Sequence, residues 1–116
     1  MRHRNKGRIL GRTKAPRQAL FKNLAASLIL YEKLKTTEAK AKEMRGYVER
    51  IITKGKINTL ASRRLLLKQL PTENSVRKVL EVLSPRYKDR HGGYTRIVKL
   101  IRRKGDGAKI ALIEFV

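Results

Sequence analysis

Proton exchange, nucleophilic attack and metal binding need particular side chains, and this chain of 116 residues carries few of them. It has no cysteine and only two histidines, His3 and His91, too few for a thiolate or histidine metal centre. Its nine carboxylates, Glu32, Glu38, Glu43, Glu49, Glu73, Glu81, Asp89, Asp106 and Glu114, are scattered. Helical spacing brings Glu38 towards Glu43 and Glu73 towards Glu81 only loosely, and each lies among Lys and Arg. A metal-dependent nuclease needs carboxylates that converge; these read as solvated charge offsetting basic neighbours. Asp89 and His91 could be an acid–base pair, but at that spacing in an extended loop their side chains point apart, and no Ser or Cys nucleophile accompanies them. Gly92-Gly93 and Gly105-Asp106-Gly107 do not lie between a strand and a helix, so they read as turns rather than phosphate-cradling loops. No catalytic residue, metal, cofactor or small-molecule substrate is expected.

Positive charge dominates instead. Thirty Lys and Arg against nine acidic residues give a net charge of +21. Surplus on that scale repels itself and calls for a polyanion, and nucleic acid offers about one phosphate charge per 1.7 Å of duplex axis. Two stretches combine charge with features used on RNA. The first seventeen residues hold seven cations, Arg2, Arg4, Lys6, Arg8, Arg12, Lys14 and Arg17, beside His3, with Gly7 and Gly11 and no acid before Glu32. Such a segment cannot build a core of its own. In the second stretch Arg86, Lys88, Arg90 and Arg96 alternate with Tyr87, His91 and Tyr94. Rings of this kind can stack on unpaired bases while guanidinium groups grip phosphates, and Gly92 and Gly93 permit close backbone approach. The alternative is that the tyrosines anchor a core and the charges are merely solvated.

The elements that must hold these stretches follow from periodicity. Leu20, Leu24, Leu28 and Tyr31 recur at helical steps, with Phe21, Ala25 and Ile29 widening the stripe, so a helix is expected from Pro16 to about Tyr31, capped by Thr13. A short strand is expected at Lys33 to Thr36, then a helix from about Glu38 to Lys54 burying Ala41, Met44, Val48, Ile51 and Ile52 and ended by Gly55. Asn58 should cap a third helix with Leu60, Leu66, Leu67 and Leu70 inward, and Thr72 a fourth burying Val76, Val79, Leu80 and Leu83. Two strands, Tyr94 to Arg102 and Ala108 to Val116, joined by a turn at Lys104 to Gly107, complete the pattern. The nearly unbroken apolar run of the last strand suggests a central position or a covered face. The expectation is an α+β fold of two layers, about four helices on a small mixed sheet of two or three strands. A basic extended arm, residues 1–13, precedes a single compact domain, residues 14–116.

The basic start followed by an apolar run superficially resembles a signal peptide, but Lys22 and Asn23 break the run and no small-residue cleavage site follows. It is far short of the roughly 20 apolar residues of a membrane span. No membrane partner is expected, and the absence of cysteine fits a reducing compartment.

The stretches MRHRNKGRILGRTKAPRQALFKNLAASLI, KLKTTEAKAKEMR and RYKDRHGGYTRI, followed by a basic hairpin and an apolar final strand, resemble in order the family of the seventeenth protein of the bacterial large ribosomal subunit, from Met1 to Val116. The resemblance implies a cytoplasmic structural protein bound to large-subunit ribosomal RNA near the nascent-chain exit. Neighbouring ribosomal proteins would touch it, and it would be present as one copy per ribosome rather than as a homo-oligomer. It also implies a mature chain that begins at this Met-Arg-His-Arg. RNA contact carries over to Arg2, His3, Arg4, Lys6, Arg8 and Arg12 and to the loop from Arg86 to Arg96. The rival reading, a nucleoid-type DNA-binding protein, shares the charge but lacks a recognition helix with a dimer seam or a wedge-bearing β-arm.

Overall fold

The computed structural model describes residues 14–57 and 59–116. Four helical segments and three strands alternate along it: α1 (Lys14–Tyr31), β1 (Lys33–Thr37), α2 (Glu38–Gly55), α3 (Leu60–Gln69), α4, β2 (Thr95–Lys99) and β3 (Ile110–Phe115). The rod α4 starts as Glu73–Lys78, widens into a π-helical turn, Val79–Leu83, and closes with one turn, Ser84–Arg86. Both the α+β class and the element order match the sequence reading. The basic arm and the Thr13 cap lie outside the described residues.

The sheet has the order β1-β3-β2, and both pairings are antiparallel. The expected mixed sheet is therefore corrected: β2 and β3 form a hairpin, and β1 reaches the far side of β3 in the opposite sense. The apolar strand β3 is central, as its composition suggested. The registers Leu34↔Ile113 and Ile97↔Ile113 put one apolar side chain from each strand in a row, and Ala111 and Ile113 are fully buried under the helices. Alternate residues, among them Lys33, Lys35, Arg96, Val98 and Leu112, belong to the other face, because side chains alternate along a strand. Helix α2 crosses all three strands, and α1, α3 and α4 pack around α2.

Each helix is aimed by its apolar stripe and its cap. The Thr37 hydroxyl accepts from Lys40 N at 3.4 Å, and Glu38 N donates to Lys109 O at 2.9 Å, which ties the start of α2 to the sheet. Ala41, Met44, Val48, Ile51 and Ile52 are buried as expected. Gly55 is the last residue of α2 and is buried, with Lys56 as its C-cap. A Cβ added to Gly55 would lie 2.6 Å from Ser84 Oγ and 2.7 Å from Val79 Cγ1, so the glycine allows α2 and α4 to cross in contact. Thr59 caps α3, its hydroxyl accepting from Ser62 N at 3.2 Å, while Asn58 lies outside the described residues. The Thr72 cap of α4 stands, as does burial of Val76, Val79, Leu80 and Leu83.

Three apolar assignments change. Tyr31 is 77% exposed, since α1 gives way there to Glu32, whose φ of 63° turns the chain into β1. Leu60 and Leu67 are also exposed, and α3 buries only Leu66, with Leu70 just beyond its end. This helix meets α2 and α4 along one narrow stripe. The hairpin turn forms as expected: Arg103 N bonds Ala108 O and Gly107 N bonds Arg103 O, both at 2.9 Å, with Gly107 at a φ of 67° that favours glycine. Asp106 braces it, accepting from Arg103 Nε at 3.0 Å, Arg103 Nη2 at 2.6 Å and Ala108 N at 3.1 Å. These bonds, the Arg103 guanidinium first, lower the Asp106 carboxyl to about 2.

Candidate nucleic-acid interface

The loop between α4 and β2 divides its residues into anchors and exposed cations. Tyr87, directly after the last turn of α4, is 4% exposed and donates its hydroxyl to Val116 O at 2.8 Å. Tyr94, just before β2, is 1% exposed, and its hydroxyl lies 3.3 Å from Thr53 Oγ1. The two rings meet at 5.1 Å between centroids, and Phe115 joins Tyr87 at 6.3 Å. Rings buried in this way offer no face to a base, so Tyr87 and Tyr94 are withdrawn as stacking residues. They are the core anchors that the alternative reading described. Burial alone would push the Tyr94 hydroxyl up, but hydrogen bonding from Lys56 and Thr53 outweighs it and leaves the group below its ordinary value.

Two of the loop's four cations are already engaged. Arg86 pairs with Glu32, which also takes Lys78 Nζ at 3.2 Å. Arg96 Nε donates to Glu114 Oε1 at 2.6 Å across the β2–β3 pair. Lys88, Arg90 and His91 are exposed and have no carboxylate partner among the described residues. They lie on the turn that Gly92 and Gly93 shape, with φ of 85° and 63°, and a Cβ on Gly92 would meet nothing within 4 Å. Lys14 is exposed and Arg17 half-buried in the first turn of α1, while Arg2, His3, Arg4, Lys6, Arg8 and Arg12 lie outside the described residues.

Sequence reasoning missed Lys56. Its ammonium donates to the Arg90 carbonyl and stands 4.9 Å from the centre of the Tyr94 ring, so it pins the loop to the end of α2. Thirty-four positions separate Lys56 from Arg90, and no local signal could have joined them. Among the described residues no three His, Cys, Asp or Glu gather as a metal site, and no helix is long and apolar enough to cross a membrane.

Glu32 couples this loop to the fold. Its carboxyl is held below the usual carboxylate range, chiefly by hydrogen bonding from Arg86 and also from Lys78, against some loss of hydration. A carboxyl lowered in the folded state adds stability above its unfolded value, near 4.5, and loses it as pH falls through the lower folded value. Glu32→Gln should therefore cost about 0.5–1 kcal/mol at pH 7, a small amount because both pairs are partly solvated. Urea unfolding of both proteins at pH 7 and pH 3 checks this: the difference should shrink at the lower pH, and a difference that grows there would refute it.

The turn presents Lys88 and Arg90 beside His91, all exposed, next to the positive-φ pair Gly92 and Gly93. The model of the family described as ribosomal protein L17 matches residues 20–116. Large ribosomal subunit protein bL17 of Sphingopyxis alaskensis is 53% identical over 116 residues, covering 100% of this chain and 84% of its own. The proteins of the same name from Hydrogenobaculum and Thermomicrobium roseum are 52% and 50% identical, each covering 100% of this chain and 99% of its own. Similarity of this extent, joined to the same α+β order of elements, places the chain: it belongs to the ribosomal protein L17 family.

Proposed function

We propose that this protein is a structural constituent of the large ribosomal subunit that grips large-subunit ribosomal RNA in two places. One is the basic arm, residues 1–13, with Arg2, His3, Arg4, Lys6, Arg8 and Arg12, continued by Lys14 and Arg17 at the start of α1. The other is the turn with Lys88, Arg90, His91, Gly92 and Gly93. Residues 14–116 form the domain that carries both. The observation that carries this reading is similarity at about half identity along the whole chain to proteins named for the large ribosomal subunit. Family membership makes the chain a large-subunit ribosomal protein and not an enzyme. It works in the cytoplasm, as one copy among neighbouring ribosomal proteins.

The surplus of +21 charges supplies the affinity. If six to ten phosphates are contacted, affinity for protein-free large-subunit RNA should fall about 10³- to 10⁵-fold between 50 and 200 mM salt, as released counterions lose their entropic advantage. A flat salt dependence would refute electrostatic RNA binding. Deleting residues 2–12 should leave the unfolding transition in place while weakening RNA binding and incorporation into subunits. A DNA-binding role would instead show as co-sedimentation with DNA rather than with ribosomes.

A further inference from the structure

The turn from Lys88 to Gly93 is fastened on its near side by backbone. Lys88 N donates to Pro85 O at 3.4 Å and Arg90 N to Tyr87 O at 3.0 Å, which ties these residues to the end of α4. The chain then passes through His91 to Gly92 and Gly93, both at positive φ, before β2 begins at Thr95. Glycine loses more conformational freedom on ordering than any other residue, so the far side of the turn is the side that is costly to hold in one shape.

Lys56 meets the turn just before those glycines. Its ammonium donates to the Arg90 carbonyl and stands 4.9 Å from the centre of the Tyr94 ring, a charge-assisted hydrogen bond and a cation–π contact in one place. The helix puts the lysine there. Lys56 is the half-buried C-cap of α2, its N–H bonds Ile52 O at 3.2 Å, and Gly55 beside it lets α2 touch α4. Arg90 is thereby fastened at both of its peptide groups, its amide by Tyr87 O and its carbonyl by Lys56. Its exposed guanidinium lies beside Gly93, with Nη2 4.0 Å from the point where a Cβ would stand. The charge of Lys56 thus faces a carbonyl and a ring of its own chain, while the charges of Lys88 and Arg90 face outward.

We propose that Lys56 is a positioning residue for RNA binding: it sets the shape of the turn, and with it the places of Lys88, Arg90 and His91, without itself taking a phosphate. The inference rests on the RNA-binding reading above and adds what keeps that grip ready. A turn held in shape before RNA arrives spares binding the cost of ordering it.

Salt dependence separates a positioning lysine from one that touches phosphate. In the full-length protein Lys56→Met keeps most of the stem and removes the ammonium. It should weaken binding to protein-free large-subunit RNA about tenfold, the order of cost of fixing one loose residue, and raise amide exchange across residues 88–93 of the free protein. The slope of log affinity against log salt should stay that of the parent, because no phosphate contact is lost, whereas Lys88→Met should lessen it by about one. Lys56→Arg should restore affinity, since a guanidinium can also reach a carbonyl and lie over a ring. Lys54→Met removes the same charge from the same helix end and should change affinity far less. A lessened slope in Lys56→Met would make Lys56 a phosphate ligand and overturn the proposal. So would unchanged affinity, with or without a lowered thermal midpoint, which would leave the contact to stability alone, and so would an equal loss in Lys54→Met, which would leave it to net charge. The double variant Lys88→Met with Arg90→Met tells the two readings apart. If it weakens RNA binding and Lys56→Met does not, only the positioning role falls; if neither does, the turn's part in RNA binding falls with it.

Discussion

Tyr94→Ala should destabilise the protein by about 3–5 kcal/mol, the cost of removing a large aromatic side chain from a packed core. The ring is 1% exposed, meets Tyr87 at 5.1 Å and supports the Lys56 ammonium at 4.9 Å, so truncation opens a cavity and frees the loop together. Tyr94→Phe should cost about 1 kcal/mol, because it keeps the ring and removes only the hydroxyl with its hydrogen bonding to Thr53 and Lys56. Urea denaturation of both variants measures the two costs. RNA affinity provides the contrast: Tyr94→Phe should bind as the parent does. A stable Tyr94→Ala protein that had lost RNA affinity would return the ring to the interface.

The second large effect is expected at Gly55, the last residue of α2. Gly55→Val should cost about 3 kcal/mol, as overpacking where two helices touch. Its Cβ would fall 2.6 Å from Ser84 Oγ and 2.7 Å from Val79 Cγ1, both on buried residues of α4, and the Ser84 hydroxyl would lose its 3.4 Å contact with Ile52 O. Gly55→Ala should also destabilise, whereas Gly46→Ala, at an exposed position inside the same helix where an added Cβ meets no described atom within 4 Å, should stabilise. The same substitution in one helix thus takes opposite signs according to what faces the missing side chain. Chemical unfolding of the two alanine variants side by side checks this, and equal signs would contradict the crossing geometry.

Much of the fold was legible because it follows from local periodicity. Met44, Val48, Ile51 and Ile52 mark the buried face of α2 by spacing alone, and Thr72 begins a helix where a cap residue is expected. Strand sense was less legible. An apolar run such as Ile110–Phe115 says that a strand is covered, but not in which direction its second neighbour runs. The interface was harder still, because a tyrosine between arginines has the composition of a stacking platform whether it points outward or, as Tyr87 and Tyr94 do, into the core. Pairing also hides from sequence: Glu32 reaches Arg86 across 54 positions and so neutralises a cation that looked free. The exposed trio Lys88, Arg90 and His91 remains without a carboxylate partner among the described residues.

The order of strands in the sheet also sets a timetable for the chain's own synthesis. β1 ends at Thr37 and β2 at Lys99, yet neither pairs with the other; both wait for β3, which begins at Ile110. A growing chain therefore translates all its helices and two of its strands before the sheet can exist. During that interval the apolar residues of α2 that the sheet will cover are open to water, and the edges of β1 and β2 have no partner. Their early neighbours, Lys33, Lys35, Arg96 and Lys99, discourage wrong strand pairing through charge repulsion. Pairing of β1 with β3 across so long a stretch of sequence is slow for entropic reasons, whereas β2 and β3 close as a local hairpin, so the β1–β3 contact is the later of the two to form.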